Sequence, residues 1–138
     1  LMLQDNGSFS SIDLCTVDLF TGLCEFLKIG AAATFLRRTG WVEEILSTSA
    51  PAGLTQEIEM ETVKRQLEPG NFVVMVSDGV LDSLPQEDAD EVLKEIVAVQ
   101  ETENAAEMAE NIIKEVLRMG QCRPEDDMTV LVGGFWER

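Results

Sequence analysis

One apolar run stands out along the chain: Phe72-Val73-Val74-Met75-Val76, in which Val73, Val74 and Val76 are β-branched. An unbroken run of this kind predicts a strand with both faces buried. It stops at Ser77-Asp78-Gly79, a turn signal that leaves a carboxylate at the rim of a core, where Gly79 lets the backbone approach closely. Residues 12–19 alternate imperfectly. Asp13, Cys15, Val17 and Leu19 fall on one face and Ile12, Leu14, Thr16 and Asp18 on the other, so apolar residues occupy both sides. That suits a strand packed between two layers better than one facing water. Phe20-Thr21-Gly22 turns the chain, and residues 24–29 return as the second arm of a hairpin. Gly30-Ala31-Ala32-Ala33 then offers small residues for close backbone packing or a ligand-facing bend.

Residues 34–38 and 41–46 predict a second hairpin across Thr39-Gly40, and residues 47–53 a loop broken by Pro51 and Gly53. Residues 59–67 alternate charged and apolar positions around Met60, Val63 and Leu67, as an outer strand does. Glu68-Pro69-Gly70-Asn71 places Pro and Gly as a type II turn requires. Beyond Gly79 the period changes from two to that of a helix. Val92, Leu93, Ile96 and Val97 share one face of residues 90–100, with Pro85 opening the element and Asp88 as a candidate cap. Thr102 or Asn104 caps a further helix whose stripe is Met108, Ile112, Ile113, Val116 and Leu117. Gly120 ends it and Arg118 lies near its negative pole. A polar loop over residues 121–127 leads to a closing strand over 128–135, whose apolar run predicts a second buried strand. Strands first and helices late is an α+β pattern of antiparallel sheet.

Composition narrows the chemistry. The chain has 138 residues, enough for one domain with a core, and a net charge of −16 from 26 acidic and 10 basic residues. That balance excludes nucleic acid and anionic membrane surfaces as partners, because phosphates need Lys and Arg to neutralise them. Histidine is absent, which removes a Ser-His-Asp triad, a Cys-His pair and a His-ligated zinc. Cys15, Cys24 and Cys122 are odd in number and lack CxxC spacing, so neither zinc nor a disulfide framework is expected. Cys15 and Cys24 read as small buried hydrophobes, in keeping with a reducing, cytoplasmic compartment. No apolar stretch is long enough to span a membrane and no signal peptide is visible.

The acids carry the remaining chemistry. Asp78 ends one strand and Asp126-Asp127 precedes another, Met128-Thr129-Val130-Leu131-Val132. If those strands are antiparallel neighbours, Asp78 meets the pair, and such carboxylates repel one another unless a cation or protons intervene. Oxygen-only ligands favour Mg²⁺ or Mn²⁺. A pair of such ions about 3.5–4 Å apart lowers the pKa of a shared water to make a hydroxide nucleophile. A turn aspartate that bonds its own backbone fits Asp78 equally well, and spacing does not choose between Asp126 and Asp127.

Ser77-Asp78-Gly79 followed by Asp126-Asp127-Met128-Thr129-Val130 resembles the last two metal motifs of the PP2C-type metal-dependent serine/threonine protein phosphatases. Ser11-Ile12-Asp13-Leu14-Cys15, Thr21-Gly22 and Glu25-Phe26-Leu27-Lys28-Ile29-Gly30 are closer still to the branch of that family that acts in bacterial sporulation. The resemblance implies part of an αββα sandwich with a Mn²⁺ or Mg²⁺ two-metal centre, in which metal-activated water is the nucleophile. It implies Asp78 and Asp126 as metal ligands, with Asp127 and Gly79 behind them. The implied substrate is a phosphoserine on an anti-anti-sigma-factor protein, whose dephosphorylation activates a sporulation sigma factor. The implied setting is the cytoplasmic, soluble domain of a membrane-anchored bacterial protein. The family also uses an upstream aspartate and an Asp-Gly pair, which Asp5-Asn6-Gly7 does not match. Residues 1–138 are therefore expected to be the C-terminal portion of a single PP2C-like domain, inactive alone. The alternative is a non-catalytic phosphatase-like regulatory or dimerisation module, with a homodimer formed through uncovered apolar faces. Light scattering separates these expectations: a clean monomer argues against the dimerisation module.

Overall fold

The computed structural model describes residues 11–47, 61–120 and 127–137. Its elements in chain order are β1 (Ile12–Val17), β2 (Leu23–Ile29), β3 (Thr34–Arg38), β4 (Trp41–Ile45), β5 (Glu61–Gln66), β6 (Asn71–Val76), α1 (Asp78–Asp82), α2 (Ala89–Ala98), α3 (Ala105–Met119) and β7 (Val130–Phe135). They fall into two compact units, one of Leu1–Ala31 and Leu46–Leu67, the other of Ala32–Ile45 and Glu68–Arg138. Both sheets are antiparallel and the helices come late, so the α+β class stands.

The first unit holds a sheet in the order β1-β2-β5. The predicted hairpin is present, and Asp18 makes its turn. The Asp18 carboxylate accepts from the backbone N–H groups of Phe20 (2.9 Å) and Thr21 (3.2 Å), while Gly22 takes φ +76°. On one face Cys24, Phe26 and Lys28 are buried; on the other Ile12, Leu14 and Leu23 are exposed. The expectation that β1 is covered on both faces is therefore corrected: β1 is an edge strand, and its Ile12–Leu14 side faces outward. The 59–67 segment is an outer strand as expected over residues 61–66; residues 59–60 lie outside those described.

Sequence reading missed the most unusual pair of this unit. Asp13 and Lys28 are cross-strand partners, and the wholly buried Lys28 ammonium donates to both Asp13 carboxylate oxygens at 2.9 and 3.0 Å. A buried ammonium needs such a partner, because stripping a charge of water costs several kcal/mol per ion. Cys15 is half-buried on the same face and Cys24 fully buried. Burial, then Cys24 and Asp13, push the Cys15 thiol up to about 11, with Lys28 opposing.

The second unit is a sheet in the order β4-β3-β6-β7 with three helices. The β3–β4 hairpin turns at Gly40 (φ +84°), and Asn71 N–H bonds Glu68 C=O at 3.0 Å across the expected turn before β6. Strand β6 is interior and buried apart from half-buried Met75. Phe72, Val74 and Val76 face a core shared with Phe35, Val80, Leu84, Leu93, Val97, Met108, Ile112 and Val116. These residues include most of both helical stripes, so the stripes are core surfaces as read. Asn104 caps α3 by accepting from Glu107 N–H at 2.9 Å. Asp88 holds the position before α2 but makes no side-chain cap. At the end of α2, the Arg37 guanidinium donates to Gln100 C=O and lies 5.6 Å over the Phe72 ring, tying helix to sheet. Strand β7 departs from expectation. It is an edge strand of alternating half-buried and exposed residues, with Leu131 exposed, and not a second buried strand.

Removing Asp13 takes from the buried Lys28 ammonium a carboxylate that meets it through both oxygens. Asp13→Ala should destabilise the fold by about 3–5 kcal/mol in urea unfolding, and the double replacement Asp13→Val/Lys28→Met should recover most of that loss. In a Cys122→Ser background, the alkylation rate of Cys15 should keep rising to about pH 11. The folded thiol holds its proton above the ordinary 9.0, so ionisation on unfolding makes stability fall as pH climbs from about 9 to 11.

Candidate functional site

Strands β6 and β7 run antiparallel with Val76 opposite Val130, so the chain leaving β6 and the chain approaching β7 are neighbours. Ser77 joins them. Its backbone N–H donates to Thr129 C=O at 3.0 Å, and Thr129 N–H donates to the Ser77 hydroxyl at 2.9 Å. The same hydroxyl lies 3.5 Å from Asp127 C=O, toward which its proton can point.

The expected Ser-Asp-Gly turn is corrected to the first turn of helix α1. Ser77 holds the N-cap position and Asp78 is the first helical residue, where a carboxylate suits the positive end of the helix. Val80 and Leu84, four residues apart, are both buried in the core. That spacing was available in the sequence and marks a helical turn. The turn is closed at its far end too. The Ser83 hydroxyl donates to Gly79 C=O at 2.7 Å and lies 3.4 Å from the Met128 sulfur. Gly120 packs so closely that a Cβ there would stand 2.7 Å from Ser83 C=O.

Asp78 is exposed at the start of α1, while Gly79 is buried beneath it. Asp127 is exposed in the segment that Ser77 holds. The structure thus brings Asp78 and Asp127 to the same end of the β6–β7 pair. Asp126 lies outside the described residues. Among the described residues no three His, Cys, Asp or Glu side chains gather as a metal cluster. In kind, however, the donors fit a hard divalent cation: among the described residues, the acids at this end are carboxylates flanked by a hydroxyl and backbone carbonyls. The role of the Ser77 hydroxyl escaped the sequence, because a serine before Asp-Gly reads as a cap or turn residue.

The family model of stage II sporulation protein E (SpoIIE) matches residues 1–135. Stage II sporulation protein E of Bacillus subtilis (strain 168) is 33% identical over 125 residues, covering 90% of this chain and 15% of that protein. The Priestia megaterium protein of that name is 34% identical over 134 residues, covering 96% of this chain and 23% of its own length. The chain thus spans less than a quarter of these curated relatives. The Mn-presoaked phosphatase domain of SpoIIE from B. subtilis superposes with a TM-score of 0.81 at 30% identity, over 94% of this chain and 58% of that one. The catalytic domain of the serine threonine protein phosphatase PstP in complex with 2 manganese ions has a TM-score of 0.67 at 22% identity, a likeness of fold, over 92% of this chain and 59% of that one.

The close approach of Gly120 to α1 has a direct consequence. Gly120→Ala should cost about 1–3 kcal/mol in urea unfolding, since the added methyl meets backbone oxygen that has no rotamer to escape into. An unchanged midpoint would mean that α1 shifts freely on its neighbours.

Proposed function

The chain belongs to the stage II sporulation protein E family, and we propose that it takes part in metal-dependent hydrolysis of phosphoserine on a protein substrate. The observation that carries this reading is the placement of Asp78 beside the Asp127 segment at one end of β6 and β7. Asp78 and Asp126 are the metal ligands in this reading. Asp127 stands behind them, and Gly79 keeps the backbone under Asp78 free of a side chain. A bound Mn²⁺ or Mg²⁺ supplies an acidified water and charge neutralisation for the phosphoryl group. The chain's own part is to hold carboxylates in place on a rigid sheet end. Its net charge of −16 repels a phosphorylated partner at a distance, so productive encounter depends on the cation held at Asp78.

The substrate we assign is the phosphorylated anti-anti-sigma-factor protein, with release of a sporulation sigma factor as the outcome. The name of the relatives supports a sporulation role. No helix among the described residues is long and apolar enough to cross a membrane. That is compatible with the cytoplasmic, soluble-domain setting we propose. A two-ion centre with about six ligands per ion needs more oxygens than Asp78 and Asp126 provide. We therefore read residues 1–138 as part of a single PP2C-like domain. A second reading, a regulatory or homodimerising module, is favoured by Ile12, Leu14 and Leu23 exposed on one face of the β1-β2-β5 sheet.

The test is Mn²⁺-dependent phosphate release from a phosphoserine protein, measured for the 138 residues and for the longer protein that carries them. Turnover should be strong only in the longer protein and should fall to background in Asp78→Asn. Strong turnover that survives Asp78→Asn overturns the site. Strong turnover by the 138 residues alone, lost in Asp78→Asn, keeps the site and overturns the need for further ligands.

A further inference from the structure

A serine at a helix N-cap ordinarily accepts from the backbone N–H two or three residues on. Ser77 does not. Its side chain makes no capping bond to α1, although Val80 N–H does reach the Ser77 carbonyl at 3.1 Å. The hydroxyl is turned across the sheet instead, accepting from Thr129 N–H at 2.9 Å and facing Asp127 C=O at 3.5 Å. With the Ser77 N–H on Thr129 C=O, three contacts converge from one residue onto the segment before β7. The β6–β7 ladder ends at the Val76–Val130 pair, so these contacts extend the register beyond the sheet to the level of the acids.

We propose that Ser77 is a positioning residue for the cation-binding aspartates: its hydroxyl locks the backbone of residues 127–129 to that of Asp78, so that the two acidic segments present to one ion as a unit. This rests on the metal-site reading above. Asp78 is covalently next to Ser77, and Asp127 is held through its own carbonyl, so neither segment can shift along the sheet without breaking a Ser77 contact. A lost hydroxyl leaves both strands paired but frees the Thr129 N–H and lets the 127–129 backbone move. Ser77→Thr keeps the hydroxyl and the lock.

The experiment is a Mn²⁺ titration of the ¹⁵N-labelled chain, read by paramagnetic broadening of the Gly79 and Thr129 amides, which suits weak binding. In the wild type both amides should broaden together. In Ser77→Ala the Mn²⁺ affinity should fall roughly tenfold to a hundredfold, as for loss of groups that orient metal ligands. Thr129 should lag behind Gly79, and its amide should exchange with solvent faster. Ser77→Thr should restore the wild-type titration. A Ser77→Ala titration indistinguishable from wild type overturns the role of Ser77 and leaves the metal site intact. Loss of the β6 amide signals in Ser77→Ala makes Ser77 a structural residue and overturns its positioning role. Absence of broadening at either amide in the wild type overturns the metal site, and the Ser77 proposal with it.

Discussion

Strand β6 is paired on both edges, to β3 and to β7, and turns Phe72, Val74 and Val76 into the helical core. That double constraint governs the second unit. A one-residue slip would carry those side chains to the opposite face and strand the core surfaces of α2 and α3. The register of β6 is thus fixed by burial, and with it the point where the chain leaves the sheet. Ser77 and Asp78 stand where they do because Val76 is the last residue of β6 that packs into the core. The acid is delivered by packing, not by anything in its own chemistry.

Most of this was legible because the signals were local. The run Phe72–Val76, the Pro69-Gly70 turn, the period-two strands and the stripes of α2 and α3 are each written in a few consecutive residues. What failed was information that belongs to neighbours. Ile12 and Leu14 look like core residues, yet they face outward, because apolar composition does not state what covers a sheet. Val130, Leu131 and Val132 read as a buried strand, but their place at a sheet edge leaves alternate side chains exposed. The Asp13–Lys28 pair was invisible since its partners are fifteen residues apart and meet only once the hairpin register is set. The short helix α1 was the avoidable miss: Val80 and Leu84 carried the helical spacing, and the Ser-Asp-Gly turn signal outweighed it.

The candidate site divides in the same way. Asp78 and the Asp126-Asp127 pair were legible as acids at strand ends, and antiparallel pairing of β6 with β7 brings those ends together. The hydroxyl that holds Asp127 was not legible, because capping and cross-strand bonding by serine look alike in sequence.

The exposure of Asp78 and Asp127 decides how a cation relates to the fold. Carboxylates buried without a counter-ion would force the apo chain to protonate them or open, and metal binding would then be folding. These acids stay solvated at a sheet end, where water screens their repulsion. Their positions are set by the β6–β7 ladder and the Ser77 contacts, which need no ion. A cation that binds there adds stability only by mass action on a chain already folded. The same separation suits the second acidic segment to its place: among the described residues β7 pairs only with β6, so the contacts that fix its approach are the β6 ladder and those of Ser77.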